Sequence, residues 1–232
     1  MILNFLLILL IVLIALTIIW KYALFYRDPK RNIPAGNNLV SPADGTVVYI
    51  KKFSNGKVPN PNKNGKEIKL EEITHIKNNI KKGYIIGIFM NPLSVHVNRA
   101  PISGKIEFIK HTTHKNKSML IILIKVIFHK LSRPGQYNYE LENERNTILI
   151  MGKVKNKLFP VYIIQIADTV VKKVVCWMKK GDLVNKGQKI GMIKMGSQVD
   201  LILPDKIGKK PIQLRIKESD YVYSGSSAIA EL

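Results

Sequence analysis

The sequence predicts a mainly β, barrel-sandwich-like domain carried behind one N-terminal transmembrane helix. Three observations predict it. Residues Ile2 to Trp20 hold no charged side chain, and the chain beyond Val40 falls into short β-branched runs broken by Gly, Pro, Asn and Asp. After the first helix, no sustained 3.6-residue apolar pattern appears. A chain of 232 residues suits an anchor plus one compact domain.

The first element is the anchor, residues 1–22. About twenty helical residues cross a hydrocarbon layer of roughly 30 Å. A cleaved signal peptide would need a basic start and small residues before a cut, and neither is present. Trp20, Tyr22 and Tyr26 read as an interfacial aromatic belt. Positive charge follows the span at Lys21, Arg27, Lys30 and Arg31, which places the body on the cytoplasmic side of an inner or plasma membrane. Residues 23–40, with Asp28-Pro29 and Ile33-Pro34-Ala35-Gly36, read as a linker. Residues 41–232 form the domain.

Within it, Val47–Ile50, Tyr84–Met90, Gly104–Ile109, Leu120–Phe128, Thr147–Met151 and Val161–Ile166 read as strands. Residues 54–66, rich in Asn, Lys, Pro and Gly, read as a loop. Lys and Arg outnumber Asp and Glu by 37 to 16, a net charge of +21. Such an excess favours a polyanionic surface. The basic residues are spread along the chain with few aromatics among them, so a membrane surface is favoured and no nucleic-acid partner is expected. The single cysteine, Cys176, excludes an internal disulfide and reads as a buried structural thiol in the run Val174-Val175-Cys176-Trp177. His111 and His114 fall in a basic stretch read as a loop, without a third ligand in sequence, and His75 and His129 are isolated; no metal site is expected.

Ser41-Pro42-Ala43-Asp44-Gly45-Thr46-Val47 resembles the entry strand of biotinyl and lipoyl carrier domains. Lys180-Gly181-Asp182 and Lys186-Gly187-Gln188 supply turns of the same kind, so the two segments are expected to pair. Gly196-Ser197 alone is an ordinary turn dipeptide, Pro42-Ala43-Asp44-Gly45 an ordinary turn, and His96 in its apolar stretch an ordinary core histidine.

Taken together, several ordered motifs carry more. They are Phe25-Tyr26-Arg27-Asp28-Pro29, Ile33-Pro34, Leu39-Val40-Ser41-Pro42-Ala43-Asp44-Gly45 and Val95-His96-Val97-Asn98-Arg99-Ala100-Pro101. Glu142-Asn143-Glu144-Arg145-Asn146, Gln165-Ile166-Ala167, Gly181-Asp182 and Gly196-Ser197-Gln198-Val199-Asp200 complete the set. Over nearly the whole chain this resembles the phosphatidylserine decarboxylase family, short proenzyme type, which includes the archaetidylserine decarboxylases.

The resemblance implies self-cleavage between Gly196 and Ser197, giving chains 1–196 and 197–232 that remain together as a heterodimer. The Ser197 hydroxyl would attack the Gly196 carbonyl, turning amide into ester; elimination and hydrolysis would leave a pyruvoyl group where Ser197 stood. That group would form a Schiff base with the amine of a serine phospholipid in the membrane and act as electron sink for loss of CO2, so neither pyridoxal phosphate nor a metal is implied. The resemblance also implies catalytic roles for His96, as proton donor or substrate-orienting group, and for Asp44, as an acid in self-cleavage. Longer bacterial members carry a second histidine three residues after the first; here Arg99 stands in its place, so the base that activates Ser197 is either His96 or an Asp44 acting without histidine. Asp168 stands where short members have a small residue.

Two rival readings remain: a biotin or lipoyl carrier modified at Lys194, at the tip of a hairpin in Ile193-Lys194-Met195, and a tethered β domain binding nucleic acid or anionic lipid without catalysis. The lipid tail, diacyl ester or archaeal ether as in archaetidylserine, is left open.

Overall fold

In the computed structural model, residues 2–59, 67–76, 80–113, 143–167, 174–194 and 197–232 are described. The expected strand Leu120–Phe128, His114, His129, Asp168 and Gly196 lie outside them.

The N-terminal helix runs from Ile2 to Ile19 and continues as a π-helical turn from Trp20 to Phe25. No residue of Ile2–Ile19 is buried, and Ile2–Phe25 is long and apolar enough to cross a membrane. The helix thus reaches three residues past the boundary its composition suggests, because Ala23, Leu24 and Phe25 extend the apolar run beyond Lys21.

The body is built on an eight-stranded antiparallel sheet. Its order is Leu183–Val184, Gly104–Thr112, Arg145–Val154, Lys157–Ala167, Ser197–Pro204, Gly83–Met90, Gly45–Phe53 and Tyr221–Val222. Five of the six expected strands lie in this sheet, each longer than its β-branched core suggests, because backbone pairing extends into the flanking polar residues. Both faces are covered. One carries Val47, Ile86, Ile88, Ile148, Ile163, Val199 and Leu201 in the larger core. The other carries Tyr49, Ile85, Phe89, Ile164 and Ile202, under the short helix Leu70–Thr74 and the strand pair Lys57–Val58 and Ile68–Lys69. That pair lies partly inside the segment read as a loop.

A smaller sheet, Val174–Cys176, Lys189–Ile193 and Val97–Arg99, packs on the larger core. The two carrier-like segments do not pair with each other as expected. Instead the strand Val97–Arg99 lies between them: Arg99 N donates to Pro42 O (2.9 Å), while Lys189 and Gly191 register with Arg99 and Asn98. Cys176 is half-buried, its thiol 3.6 Å from Met178 O.

Gly87 shows how closely the sheet is packed near the site. A Cβ there would collide with the Tyr49 ring, whose hydroxyl accepts a hydrogen bond from Gln198 Nε2 at 2.9 Å. Gly87→Ala must push that ring aside in a filled core, a change that costs on the order of 2 kcal/mol. Thermal unfolding in detergent should show this loss; an unchanged midpoint would mean that the ring moves freely.

Candidate active site

Ser197 begins the strand Ser197–Pro204 and registers with Met90 on one side and Ala167 on the other. Successive side chains of a strand alternate between faces. Ser197 therefore shares the face of Val199 and Leu201, towards the larger core and the small sheet, and it is fully buried. Gln198 and Asp200 face the other way, where Gln198 Nε2 donates to Tyr49 Oη and to Asp200 Oδ1 (2.7 Å).

His96 immediately precedes the strand Val97–Arg99 and is also fully buried. Its backbone is tied to the small sheet, since Ile193 N donates to His96 O at 3.3 Å. Its Nδ1 lies 3.4 Å from Ser197 Oγ. Burial drives its pKa down to about 4; backbone hydrogen bonding at Ile193 and Asn91 pulls the other way, and the nearby Arg27 charge lowers it further. The ring is therefore neutral at pH 7. With its proton on Nε2, Nδ1 can accept from the serine hydroxyl, the arrangement that general-base activation of an oxygen nucleophile needs. Nε2 is buried and lacks a hydrogen bond of ordinary geometry.

Beneath this pair lies a chain of buried amides. Asn146 Nδ2 donates to Gln165 Oε1 (2.9 Å), and Gln165 Nε2 donates to Asn98 Oδ1 (2.8 Å). This chain crosses from the main sheet to the small one and fixes the strand that His96 precedes. Buried amides must be paired to avoid a desolvation cost, so the chain also specifies one arrangement of the two sheets.

The segment after the N-terminal helix is stapled to the body by three charged side chains. Arg27 donates to Leu24 O (2.6 Å) and to Leu93 O. Asp28 pairs with Arg99 (2.6 Å) and Lys189. Burial opposes ionisation of Asp28, but Lys189 and Arg99 outweigh it and lower its pKa. Arg31 pairs with Asp44 Oδ2 at 2.9 Å. Arg99, standing where a second histidine might be, thus faces Asp28 and Gly187 O (2.9 Å).

Asp44 meets Arg31 and Ser224 rather than Ser197 or His96. Its other oxygen accepts from Ser224 N (2.7 Å), and Ser224 Oγ donates to Pro42 O (3.1 Å) and Val97 O (3.3 Å). The structure therefore brings Ser197 and His96 together and links Asp44 to them only through Ser224 and the backbone of Val97. Phe25, which stacks on His96, is visible in the sequence only as part of the motif that ends the N-terminal apolar run. The buried amides carried no sequence signal of their own beyond their motifs.

Other expectations are corrected. Lys194 is exposed after Lys189–Ile193, but that strand and Ser197–Pro204 pair within different sheets, so Lys194 does not tip a hairpin as in a carrier. His111 lies on a strand, not a loop, and its Nε2 meets Glu144 Oε1 at 3.0 Å. No group of three metal-binding side chains occurs among the described residues.

Residues 21–230 match the family model described as phosphatidylserine decarboxylase. The chain belongs to that family. A relative from Methanocaldococcus jannaschii, which carries the provisional name archaetidylserine decarboxylase proenzyme, is 42% identical over 89% of this chain and 87% of its own length. One of the same provisional name from Methanothermobacter thermautotrophicus is 35% identical over 81% of this chain and 75% of its own. A phosphatidylserine decarboxylase proenzyme from Cupriavidus pinatubonensis is 31% identical over 90% and 76%. Membership of the phosphatidylserine decarboxylase family accounts for the match of ordered motifs from Phe25 to Asp200.

A histidine buried in its neutral form leaves a mark on stability. Unfolded, His96 would take up a proton below its ordinary value of 6.5; folded, it stays neutral down to about 4. Stability therefore falls as pH drops through this window, by up to about 3 kcal/mol from this residue. Chemical denaturation of a Ser197→Ala chain at pH 7 and pH 4.5 should show the loss, and His96→Gln should reduce it; equal slopes for both chains would contradict the assignment.

Proposed function

We propose that this decarboxylase proenzyme cuts its own chain between Gly196 and Ser197 and, with the pyruvoyl group left at Ser197, removes CO2 from a serine-headgroup phospholipid. The observation that carries this reading is the buried pair of Ser197 Oγ and a neutral His96 Nδ1, 3.4 Å apart. His96 takes the hydroxyl proton as Ser197 Oγ attacks the Gly196 carbonyl. Excluding water at this point favours attack by the serine over hydrolysis of the ester that forms. Asp44 acts at one remove: it holds Ser224, which binds the backbone of Val97 next to His96.

The residues present fit a pyruvoyl group. Ser197 itself would supply its atoms, and the buried Nε2 of His96 is a polar atom to spare beside it. Such a group supplies an electrophilic carbonyl and an electron sink for decarboxylation. His96, which held the serine proton during cleavage, is then placed to return a proton to the substrate carbon after CO2 leaves.

The apolar N-terminal helix supports a membrane substrate, because its last turn ends at the site. A headgroup amine and carboxylate in the interfacial layer then meet Ser197 without the lipid leaving the bilayer. The greater identity to the archaeal relatives favours the ether-linked serine lipid over the diacyl form. Assay of the purified, membrane-reconstituted chain against both lipids decides between them.

Intact mass should show two fragments meeting at Gly196-Ser197, the smaller blocked to Edman degradation and sensitive to hydrazine. Ser197→Ala should give one uncut, inactive chain; normal processing of that variant would place the cut elsewhere. His96→Ala should lower turnover by about 10²-fold or more, the ordinary worth of a general acid–base group. An unaltered rate would remove His96 from the mechanism.

A further inference from the structure

We infer that Phe25 is a positioning residue: its ring, presented by the last turn of the N-terminal helix, covers His96 and holds the imidazole towards Ser197 Oγ. The inference rests on the roles of Ser197 and His96 proposed above. The two rings stack with centroids 4.2 Å apart and planes 25° apart. Phe25 is only 4% exposed although it belongs to a helix whose preceding residues are almost all exposed. It packs with Val95, Val97 and Met192, apolar residues in and just before the small sheet.

The turn is built to put it there. From Trp20 to Phe25 the backbone widens into a π-helical turn, closed by Tyr26 N donating to Lys21 O at 3.2 Å. One extra residue per turn rotates the following side chains relative to a regular helix. Trp20 lies 5.4 Å from the Phe25 ring at a tilt, and Tyr26 meets it edge-on at 5.2 Å. Phe25 is thus held on three sides by aromatic rings. Arg27, two residues on, binds Leu93 O and closes the loop Asn91–Ser94 beside the histidine.

The bland alternative is that Phe25 merely seats the anchor on the body. The two differ in what happens to His96 when the ring is removed. Desolvation is the main cause of the depressed pKa of His96, and the ring is one wall of the dry site. The other groups facing the imidazole are Ser197, the backbone of Ile193 and Asn91, and the Arg27 charge; Tyr221 stands behind Ser94, its hydroxyl 3.2 Å from Ser94 Oγ. None of these is a carboxylate that could mask the change. A mere seat would leave the titration where it is.

The test uses the full-length chain in lipid nanodiscs with Phe25→Leu and Phe25→Trp. In a Ser197→Ala background, NMR titration of histidine-labelled chain follows His96, assigned by loss of its signal in His96→Gln. Phe25→Leu should raise the His96 pKa by about one unit or more, towards its ordinary value, and Phe25→Trp should restore it. In the processing-competent chain, the acid limb of self-cleavage should move up by the same amount in Phe25→Leu and return in Phe25→Trp. Unchanged titration or an unchanged pH profile in a folded Phe25→Leu chain overturns the inference. If Phe25→Leu does not fold, Phe25→Met, which keeps apolar bulk without a ring, carries the same comparison. Should the wild-type chain never cut, the self-processing reading fails, while the titration still decides whether Phe25 shields His96.

Discussion

Keeping an imidazole dry beside a hydroxyl is the constraint on which the rest of this structure depends. A lone buried polar ring is expensive, and its surroundings must hold it without offering water. Here the main sheet supplies the floor through Ser197, the small sheet supplies one wall through Ile193 and Val97, and the Asn146, Gln165 and Asn98 amides lock the two sheets together. These amides satisfy one another, so the polar layer can lie within an otherwise apolar core. A different register of the small sheet would strand them.

The charged staples serve the same end from the outside. The chain has 37 basic residues, yet only a few meet acids near the site. Asp28 with Arg99 and Lys189, and Arg31 with Asp44, draw the segment after the N-terminal helix onto the body. The arginine at position 99 thus has a physical role. Arg99 ends the short strand that His96 precedes, and its charge ties that strand to Asp28, just past the N-terminal helix.

Much of the fold was legible in the sequence because it rests on local pattern. The uncharged run Ile2–Trp20 and the β-branched runs at Val47–Ile50 and Val161–Ile166 read directly as helix and strands. What was not legible depends on distant contacts. Nothing in Phe25-Tyr26-Arg27-Asp28-Pro29 shows that the phenylalanine turns inward while its neighbours face out, since a π-helical turn has no distinct composition. The turns around Asp44 and Gly187 were visible, but not that Val97–Arg99 would lie between them, because strand partners are set by tertiary packing. The matched motifs named Ser197, His96 and Asp44 but left open whether His96 or Asp44 faces the hydroxyl; the placing of Asp44 against Arg31 was not legible, because Arg31 lies in a stretch that reads as linker.

The strand that Ser197 opens has one more consequence. Ser197–Pro204 is hydrogen-bonded on both sides, to Gly83–Met90 and to Lys157–Ala167, and the chain beyond it adds Ala228–Glu231 against Asn38–Val40 and Tyr221–Val222 against Gly45–Phe53. A backbone break just before Ser197 would therefore free an end without freeing a fragment. The C-terminal piece would remain threaded through the middle of the sheet as a splint, released only by unfolding. Cleavage there would trade one peptide bond for a new terminus in a fixed place, and the fold before it would be the fold after it.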